Sequence, residues 1–204
     1  MNYTIRHQSQ VIAVAVAVGL LTTTLPAGAT RSESGQPGSA QTSSPARTAQ
    51  VPGAYWRALV PDAIEVGQGQ FRRFGFLIYE ASLWAPDAVY RADGPFALRL
   101  RYARAITRDQ IVDASLDQMR AIGIDVNAHP GWRSQLESAL SGVQAGDTLT
   151  GIHQPGQGAV IFKEGERLGQ LDRALAEAFF SIWLDRSTTE PALRSALLGL
   201  DRSR

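Results

Sequence analysis

The feature that most constrains the fold is a run at residues 71–84 that is rich in aromatic, Leu and Ile side chains. Such side chains favour β-strands. Alternation along a strand puts Arg72, Phe74, Phe76 and Ile78 on one face and Arg73, Gly75, Leu77 and Tyr79 on the other. Because both faces are largely apolar, the run predicts a central strand that is covered on both sides. Gly75 then marks a β-bulge or a close approach of another backbone segment.

Arg72 and Arg73 at the head of this strand have two interpretations. In the first, they lie at the solvated end of the strand, with their aliphatic stems over the sheet. In the second, one of them acts with Tyr79 to bind an anionic or carbonyl group in a cavity beneath the sheet. The strand by itself favours the first interpretation.

Length and charge exclude several classes of protein. The 204 residues suit a single domain with a full core, and the absence of cysteine excludes a disulfide framework and Cys-ligated zinc or iron–sulfur sites. Residues 1–29 hold one of the 20 basic side chains and none of the 19 acidic ones, so the remainder carries 19 of each sign. This balance gives no cationic field for binding nucleic acid, and we expect no nucleic-acid partner.

The first 50 residues predict export. Residues 11–21 form an unbroken apolar run that follows Arg6 and His7 and precedes Ala27-Gly28-Ala29, which together indicate a signal peptide at residues 1–29, cleaved near Ala29. The alternative is an uncleaved anchor, although the run is shorter than the roughly 20 residues that span a bilayer. Residues 30–50 lack Leu, Ile, Val and aromatic side chains and predict a flexible low-complexity linker. We therefore expect a periplasmic or secreted protein with no stable membrane span after cleavage, whose folded domain is residues 51–204.

Six strands are predicted in that domain. They lie at residues 55–60, 71–84, 96–103, 147–153, 159–162 and 167–171. Residues 147–153 and 159–162 are predicted to form a hairpin, and the strand pattern is weakest at residues 167–171. Gly67 and Gly69 are interpreted as a tight connection into the main strand. In residues 96–103, Phe96, Leu98, Leu100 and Tyr102 alternate with Arg99 and Arg101, which predicts one buried and one solvated face.

Four helices are predicted from their caps. Thr107 and Gln110 have capping-box spacing, and Gly123 ends that helix. A second helix opens at Pro130-Gly131-Trp132 and ends at Ser141-Gly142, and a third is capped by Asp172. A last helix follows Ser187, with Glu190 at capping-box spacing. Strands, two helices, strands and two helices in that order predict an antiparallel sheet with helices packed on it, the α+β class.

The sequence offers few elements of a cofactor or metal site. His129 and His153 are the histidines left after export, and neither belongs to an HExxH pattern or a carboxylate cluster. No nucleophile elbow or phosphate-binding loop is present, and Arg72 stands where a dinucleotide fingerprint requires its third glycine. We expect no cofactor and no metal.

Several motifs nevertheless resemble those of the chalcone isomerase-like family. They are Gly67-x-Gly69, Arg72, the run Tyr79-Glu-Ala-Ser-Leu-Trp84, the alternating strand at residues 96–102, Gly146-Asp147, and the stretch from Phe162 through Gly165 to residues 179–184. The similarity keeps its order over nearly all of residues 51–200. It implies an open-faced β-sandwich, in which a large antiparallel sheet is covered by a layer of α-helices with a ligand cleft between them.

The resemblance also implies site residues. In the plant isomerases of the family, a strand Arg, a strand Thr, a Tyr and an Asn on the next helix, and a late Ser or Thr surround the flavonoid. In this sequence those positions carry Arg72, Tyr79, Ile111, Gln118 and Ser181. Without a phenol at Ile111, efficient flavanone ring closure is not expected. An Arg with a Tyr is instead similar to the family's fatty-acid-binding branch, where the pair holds the lipid carboxylate.

The predicted ligand-binding set is Arg72, Arg73, Tyr79, Tyr102 and Ser181. Alternation puts Arg73 on the face of Tyr79, whereas a bulge at Gly75 would put Arg72 there. Three functions remain open: an exported protein that binds a fatty acid or similar small hydrophobic carboxylate, an isomerase of intramolecular-lyase type acting on a chalcone-like or other enone substrate, and a structural module of the cell envelope whose cleft is filled by side chains.

Overall fold

Six antiparallel strands form one sheet in which each strand lies beside its neighbours in the chain. The computed structural model describes residues 54–200; the predicted signal peptide, the linker and residues 201–204 lie outside the described residues. The strands are β1 Ala63–Arg73, β2 Phe76–Pro86, β3 Phe96–Tyr102, β4 Thr148–Gln154, β5 Gly158–Lys163 and β6 Glu166–Leu171.

Helices cover one face of this sheet. They are α2 Arg108–Ala121 and α3 Trp132–Ala139, which lie between β3 and β4, and α4 Arg173–Leu184 and α5 Pro191–Leu197, which follow β6; a short helix, α1 Ala54–Arg57, precedes β1. Helix α5 packs on β1, α4 on β5 and α3 on β6, while α2 packs against α3 and α4. The main core lies between these helices and the sheet. The predicted α+β class and open-faced arrangement are confirmed.

The two faces of β3 show how local alternation sets this arrangement. Leu98 and Leu100 are buried in the main core, whereas the exposed Arg101 lies 3.7 Å from Glu80 of β2 on the opposite face. Side chains alternate across a strand, so an apolar series with an arginine at every second position can bury only one face. The predicted solvated face is present at Arg101, whereas Ala97 on the same outer face is fully buried against a short helix and other strands.

The run at residues 71–84 is a β-hairpin, and its prediction as one continuous strand is wrong. Phe74 and Gly75 form a two-residue turn with φ values of 50° and 82°. Positive φ at both central residues is the signature of the type I′ turn, whose twist matches that of the two strands. Glycine adopts this conformation without a steric penalty, whereas phenylalanine rarely adopts it. Because the residues on both sides favour strands, nothing in the sequence indicated a turn at Phe74 and Gly75. Strand β1 is therefore an edge strand.

Gly67 and Gly69 lie inside β1 and do not form the predicted connection. A Cβ on Gly67 would lie 2.1 Å from the carbonyl oxygen of Ala196, and one on Gly69 would lie 2.8 Å from Cδ1 of Leu193. Helix α5 thus packs directly on the backbone of β1, a contact that only glycine allows at Gly67.

Residues 55–57 belong to helix α1 and residues 58–60 to the turn after it, where a strand was predicted. The amide of Val60 donates to the carbonyl of Trp56 at 3.1 Å, which places both side chains on one side of a single helical turn. Both are fully buried in a second, smaller core on the outer face of the sheet, where Trp56 packs edge-on against Trp84 at 5.6 Å. Burying two large side chains outweighs the strand preference of this short segment.

The helix predictions hold at three of the four starting points. Thr107 and Gln110 form the reciprocal capping box, α3 begins at Trp132, and Asp172 accepts a hydrogen bond from the amide of Leu175. The N-cap of α5 is Glu190 with Pro191 next to it, so the capping box expected from Ser187 is not formed. The amide of Ser187 instead donates to Asp185 Oδ1 at 2.7 Å.

Candidate functional site

Three aromatic rings lie side by side on the helix-covered face of the sheet. Phe71 of β1 is opposite Tyr79 of β2, and their rings stack at 5.0 Å. Tyr79 is in turn opposite Tyr102 of β3, with the rings edge to face at 5.7 Å. Neighbouring strands bring such cross-strand partners into contact, so the sheet register alone sets this aromatic row.

The hydroxyl of Tyr79 joins the aromatic row to helix α4. Nε1 of Trp183 donates to it at 3.0 Å. Burial raises the pKa of Tyr79 above its ordinary value, and the bond from Trp183 offsets only part of that rise. The phenol therefore stays protonated at neutral pH, and its own proton has no acceptor among residues 54–200.

Tyr102 provides a second phenol beside the first. The side chain is buried, and burial raises its pKa as well. No hydrogen bond joins its hydroxyl to another residue in the described part of the chain. Two neighbouring phenols thus keep protons that they can donate.

Arg73 lies on the same face as this row. It follows Phe71 by two residues along β1, and its guanidinium Cζ lies 5.4 Å from the ring centre of Phe74. Its Nε is buried and has no hydrogen-bond partner, and within residues 54–200 the side chain forms no ion pair. Most buried polar atoms in a folded protein are paired. Trp56 Nε1 and Arg99 Nε are the other buried side-chain donors without a partner within residues 54–200, and both lie on the outer side of the sheet. Arg73 Nε is therefore the one on the face of Tyr79.

Arg72 lies on the opposite, exposed face of β1. Its guanidinium donates to Oε1 of Gln70 at 3.0 Å and to the carbonyl of Gly75 at 3.3 Å. The alternation within β1 continues without interruption up to the turn, and the register shift near Phe71 skips a residue of β2 instead. Arg73, rather than Arg72, therefore shares the face of Tyr79.

Glu190 is the acidic residue that acts on this site. It is the N-cap of α5, and burial raises the pKa of its carboxyl while the charge of Arg73 partly offsets that rise. Its charge also contributes to the raised pKa of Tyr79. Glu190 thus lies within electrostatic reach of both Arg73 and Tyr79.

The other predicted positions are engaged elsewhere. Ser181 donates to the carbonyl of Glu177 in its own helix at 2.7 Å, and it lies about 200° around α4 from Trp183. Ile111 is a buried apolar residue of α2, and Oε1 of Gln118 accepts from Oγ1 of Thr189 at 2.6 Å. Tyr79 and Tyr102 are thus in contact and Arg73 lies on the same face of the sheet, whereas Arg72 and Ser181 lie outside this group.

Phe71, Trp183 and Glu190 belong to the site but were not predicted from the sequence. Helical spacing places Trp183 on the buried side of α4, and capping spacing marks Glu190 as a residue at a helix start. Neither pattern indicates which residue of the sheet lies next to Trp183 or Glu190. Those contacts join residues about a hundred positions apart, so only the tertiary structure reveals them.

An open pocket of about 320 Å³ lies at the other end of β3, about 20 Å from Tyr102 along the strand. It is lined by Ala92, Asp93, His153, Pro155, Gly156, Arg173 and Glu177. None of the predicted ligand-binding residues is among them.

Residues 54–200 contain neither a metal-binding cluster nor a membrane-spanning helix. No three His, Asp or Glu side chains there are grouped so that they could hold a metal ion. None of the helices in the same range is both long enough and apolar enough to cross a membrane.

Comparison with known proteins supports the fold and the family. No curated protein matches the sequence. The crystal structure of a fatty-acid binding protein from Arabidopsis thaliana superimposes with a TM-score of 0.53 at 13% sequence identity, covering 70% of this chain and 90% of that one. At this identity the match shows a shared fold. The model of the chalcone isomerase-like family matches residues 67–199, well over half of the sequence. The chain therefore belongs to the chalcone isomerase-like family.

Proposed function

We propose that the protein binds a fatty acid or a similar small hydrophobic carboxylate between the sheet and the helices, and that it does so without catalysis. The observation that carries this proposal is the buried, unpartnered Nε of Arg73 on the face of the sheet that holds Tyr79. A folded chain seldom leaves such a donor unpaired, and a bound acceptor accounts for it.

A carboxylate suits the donors that are present. Arg73, Tyr79 and Tyr102 contribute N–H and O–H groups that have no acceptor within residues 54–200. An ionised carboxylate accepts up to about four hydrogen bonds and pairs well with the planar fork of a guanidinium. Because both phenols have raised pKa values, they remain donors while the ligand is ionised.

The surroundings suit an apolar tail. The ring of Phe71 continues the aromatic row on one side, and Phe179 packs on Trp183 at 5.2 Å on the other. An alkyl chain beside these rings would remove apolar surface from water, at about 25 cal/mol for each Å² buried. The Arabidopsis thaliana protein with the same fold is itself described as a fatty-acid binding protein, which agrees with this choice of ligand.

Isomerase chemistry has less support. Ile111 offers no hydroxyl on α2, and the amide of Gln118 is already engaged by Thr189. Export is part of the proposal: the apolar run at residues 11–21 and the small residues near Ala29 favour a periplasmic or secreted protein.

The direct test is a titration of the purified protein with a long-chain fatty acid by isothermal calorimetry. Replacing Arg73 by Leu removes the charged donor, so we expect a loss of about 1.5–3 kcal/mol, which is roughly a tenfold to 150-fold weaker affinity. Thermal stability should stay the same or rise, because a charge leaves a partly dry site.

Arg72→Leu is the matched control, since it removes the same side chain from the opposite face of the same strand end. It should bind like the parent. Equal affinity of the parent and Arg73→Leu, or no binding by the parent, would reject the proposal. Native mass spectrometry after mild extraction adds a second readout, because a co-purifying acyl species is expected with the parent.

A further inference from the structure

The tip of the β1–β2 hairpin carries two highly exposed aromatic side chains. Phe74 is 77% exposed and Phe76 is 62% exposed, more than any other large apolar side chain in the described part of the chain. They flank Gly75 at the end of a two-residue turn, so they protrude from the sheet edge. Exposed aromatic residues in such a group usually mark an interaction site.

Phe74 is also an unfavourable choice for the turn itself. It adopts a φ of 50°, in the left-handed region that β-carbon-bearing residues other than Asn and Asp rarely occupy. Type I′ turns strongly prefer Asn-Gly at these two positions. Within the chain this ring contacts the guanidinium of Arg73, an interaction that contributes little at an exposed site. A ring that is exposed and strained in this way points to a partner outside the chain.

The tip is surrounded by arginines without acidic partners. Cζ of Arg73 lies 5.4 Å from the ring centre of Phe74, Cζ of Arg104 lies 5.4 Å from that of Phe76, and Arg72 is exposed beside them. None of the three forms an ion pair within residues 54–200. Residues 71–79 and 103–106 contain no Asp or Glu. Glu190 acts electrostatically on Arg73, so the tip combines apolar rings with the unpaired positive charges of Arg72 and Arg104.

We infer that this hairpin tip docks on an anionic lipid bilayer. Phe74 and Phe76 enter the interfacial region, where aromatic rings are favoured, and Arg72 and Arg104 lie at the level of the lipid phosphates. A narrow convex turn does not provide the roughly 1,000 Å² that a stable protein interface needs, whereas a fluid bilayer closes around it. Unpaired arginines match the diffuse negative charge of anionic lipids.

Docking on a bilayer does not depend on fatty-acid binding, because none of the residues assigned to docking belongs to the carboxylate site. The docking residues are Phe74, Phe76, Arg72 and Arg104. The two surfaces meet at Arg73, so a docked hairpin would hold the site next to the bilayer. Vesicle binding and fatty-acid affinity are separate measurements, and failure of one leaves the other intact.

A local probe tests the inference in the full chain, since residues 11–21 would themselves partition into vesicles. The sequence has no cysteine, so Phe76→Cys gives a single attachment site for an environment-sensitive fluorophore. With phosphatidylcholine vesicles that contain phosphatidylglycerol, we expect a blue shift and quenching by headgroup-level spin-labelled lipid. The same label at Val89→Cys, an exposed apolar position beyond the other end of β2, should not respond.

Phe74→Asn separates docking from folding. Asn is favoured at this turn position, so the variant should be at least as stable as the parent. The partition coefficient reported by the label at position 76 should nevertheless fall at least about tenfold, because one ring no longer enters the bilayer. Arg72→Gln with Arg104→Gln should lower it by about fivefold for each charge removed, and added salt should weaken binding of the parent.

Ile64→Thr is the matched control, because it removes an exposed apolar side chain about 30 Å away along β1 and should change nothing. Equal responses of the labels at positions 76 and 89, or undiminished partition of Phe74→Asn, would overturn the inference. So would self-association that Phe74→Asn abolishes when vesicles give no response, since that result assigns the tip to a protein partner.

Discussion

Glu190 places a negative charge near the two residues that we propose to bind a carboxylate. It acts electrostatically on both Arg73 and Tyr79, yet it forms no ion pair with Arg73. Its ionised form should therefore repel an anionic ligand. Burial raises the pKa of this carboxyl, so that the repulsion weakens as the pH falls through that pKa.

Glu190→Gln should consequently bind a fatty acid more tightly than the parent at neutral pH. Exposed charges of this kind contribute about 0.2–1 kcal/mol, which corresponds to at most about a fivefold gain. The gain should shrink as the pH is lowered, because the parent carboxyl then becomes protonated as well. Calorimetric titrations of both proteins at several pH values measure this difference.

Glu177→Gln is the control, because that carboxylate pairs with Arg173 on α4 and does not act on Arg73. It should leave the affinity unchanged. A parent that binds as tightly as Glu190→Gln at neutral pH would show that the ligand carboxylate lies elsewhere.

For single residues, the sequence predicted that an Arg and a Tyr share the ligand site, but it did not decide between Arg72 and Arg73. Alternation favoured Arg73, and a supposed bulge at Gly75 would have favoured Arg72. The structure places a turn at Phe74 and Gly75, and this leaves the alternation within β1 intact. A turn with Phe at its first central position is too rare to be predicted from residue preferences.

The packing of α5 on β1 is the contact between elements that depends most on one residue. The carbonyl of Ala196 lies where a Cβ of Gly67 would be, at 2.1 Å, and that of Leu197 lies only 2.7 Å away. Both obstacles are backbone atoms, so a rotamer change cannot relieve them. Helix α5 would have to move as a unit.

Gly67→Ala should therefore lower the free energy of unfolding by about 1–3 kcal/mol or more, the range found when a well-packed site is overfilled. Gly142→Ala serves as the control, since the nearest atoms to its Cβ lie at an ordinary 3.4 Å. It should change stability by no more than about 0.5 kcal/mol. Urea denaturation of both variants tests this packing, and equal midpoints would contradict it.

Among the elements, the sequence predicted those that depend on local patterns. The capping box of α2 and the alternation of β3 are formed by neighbouring residues, and both are present. Helix α1 and the glycines of β1 were misinterpreted, because their conformations depend on distant partners such as Trp84 and Ala196. Tertiary contacts of that kind leave no periodic signal.

For the whole molecule, the order of strands and helices was enough to predict the fold class. Each strand pairs with its neighbours in the chain, so the sheet requires no crossover that the sequence would conceal. The packing of the helices over Tyr79 is a different matter. It depends on how the side chains of β1, β2 and α4 meet around Tyr79, and this can be known only from the assembled structure.

In the proposed site, Arg73 and the two phenols hold a carboxylate. A fatty acid labelled with ¹³C at its carboxyl carbon tests it directly, because the chemical shift of the bound ligand reports the ionisation of that one group. Donors that favour the charged form lower a carboxyl pKa, so the bound ligand should stay ionised to a lower pH than the free acid. In Arg73→Leu this difference should shrink or disappear. A bound carboxyl that titrates like the free acid in the parent protein would contradict the claim.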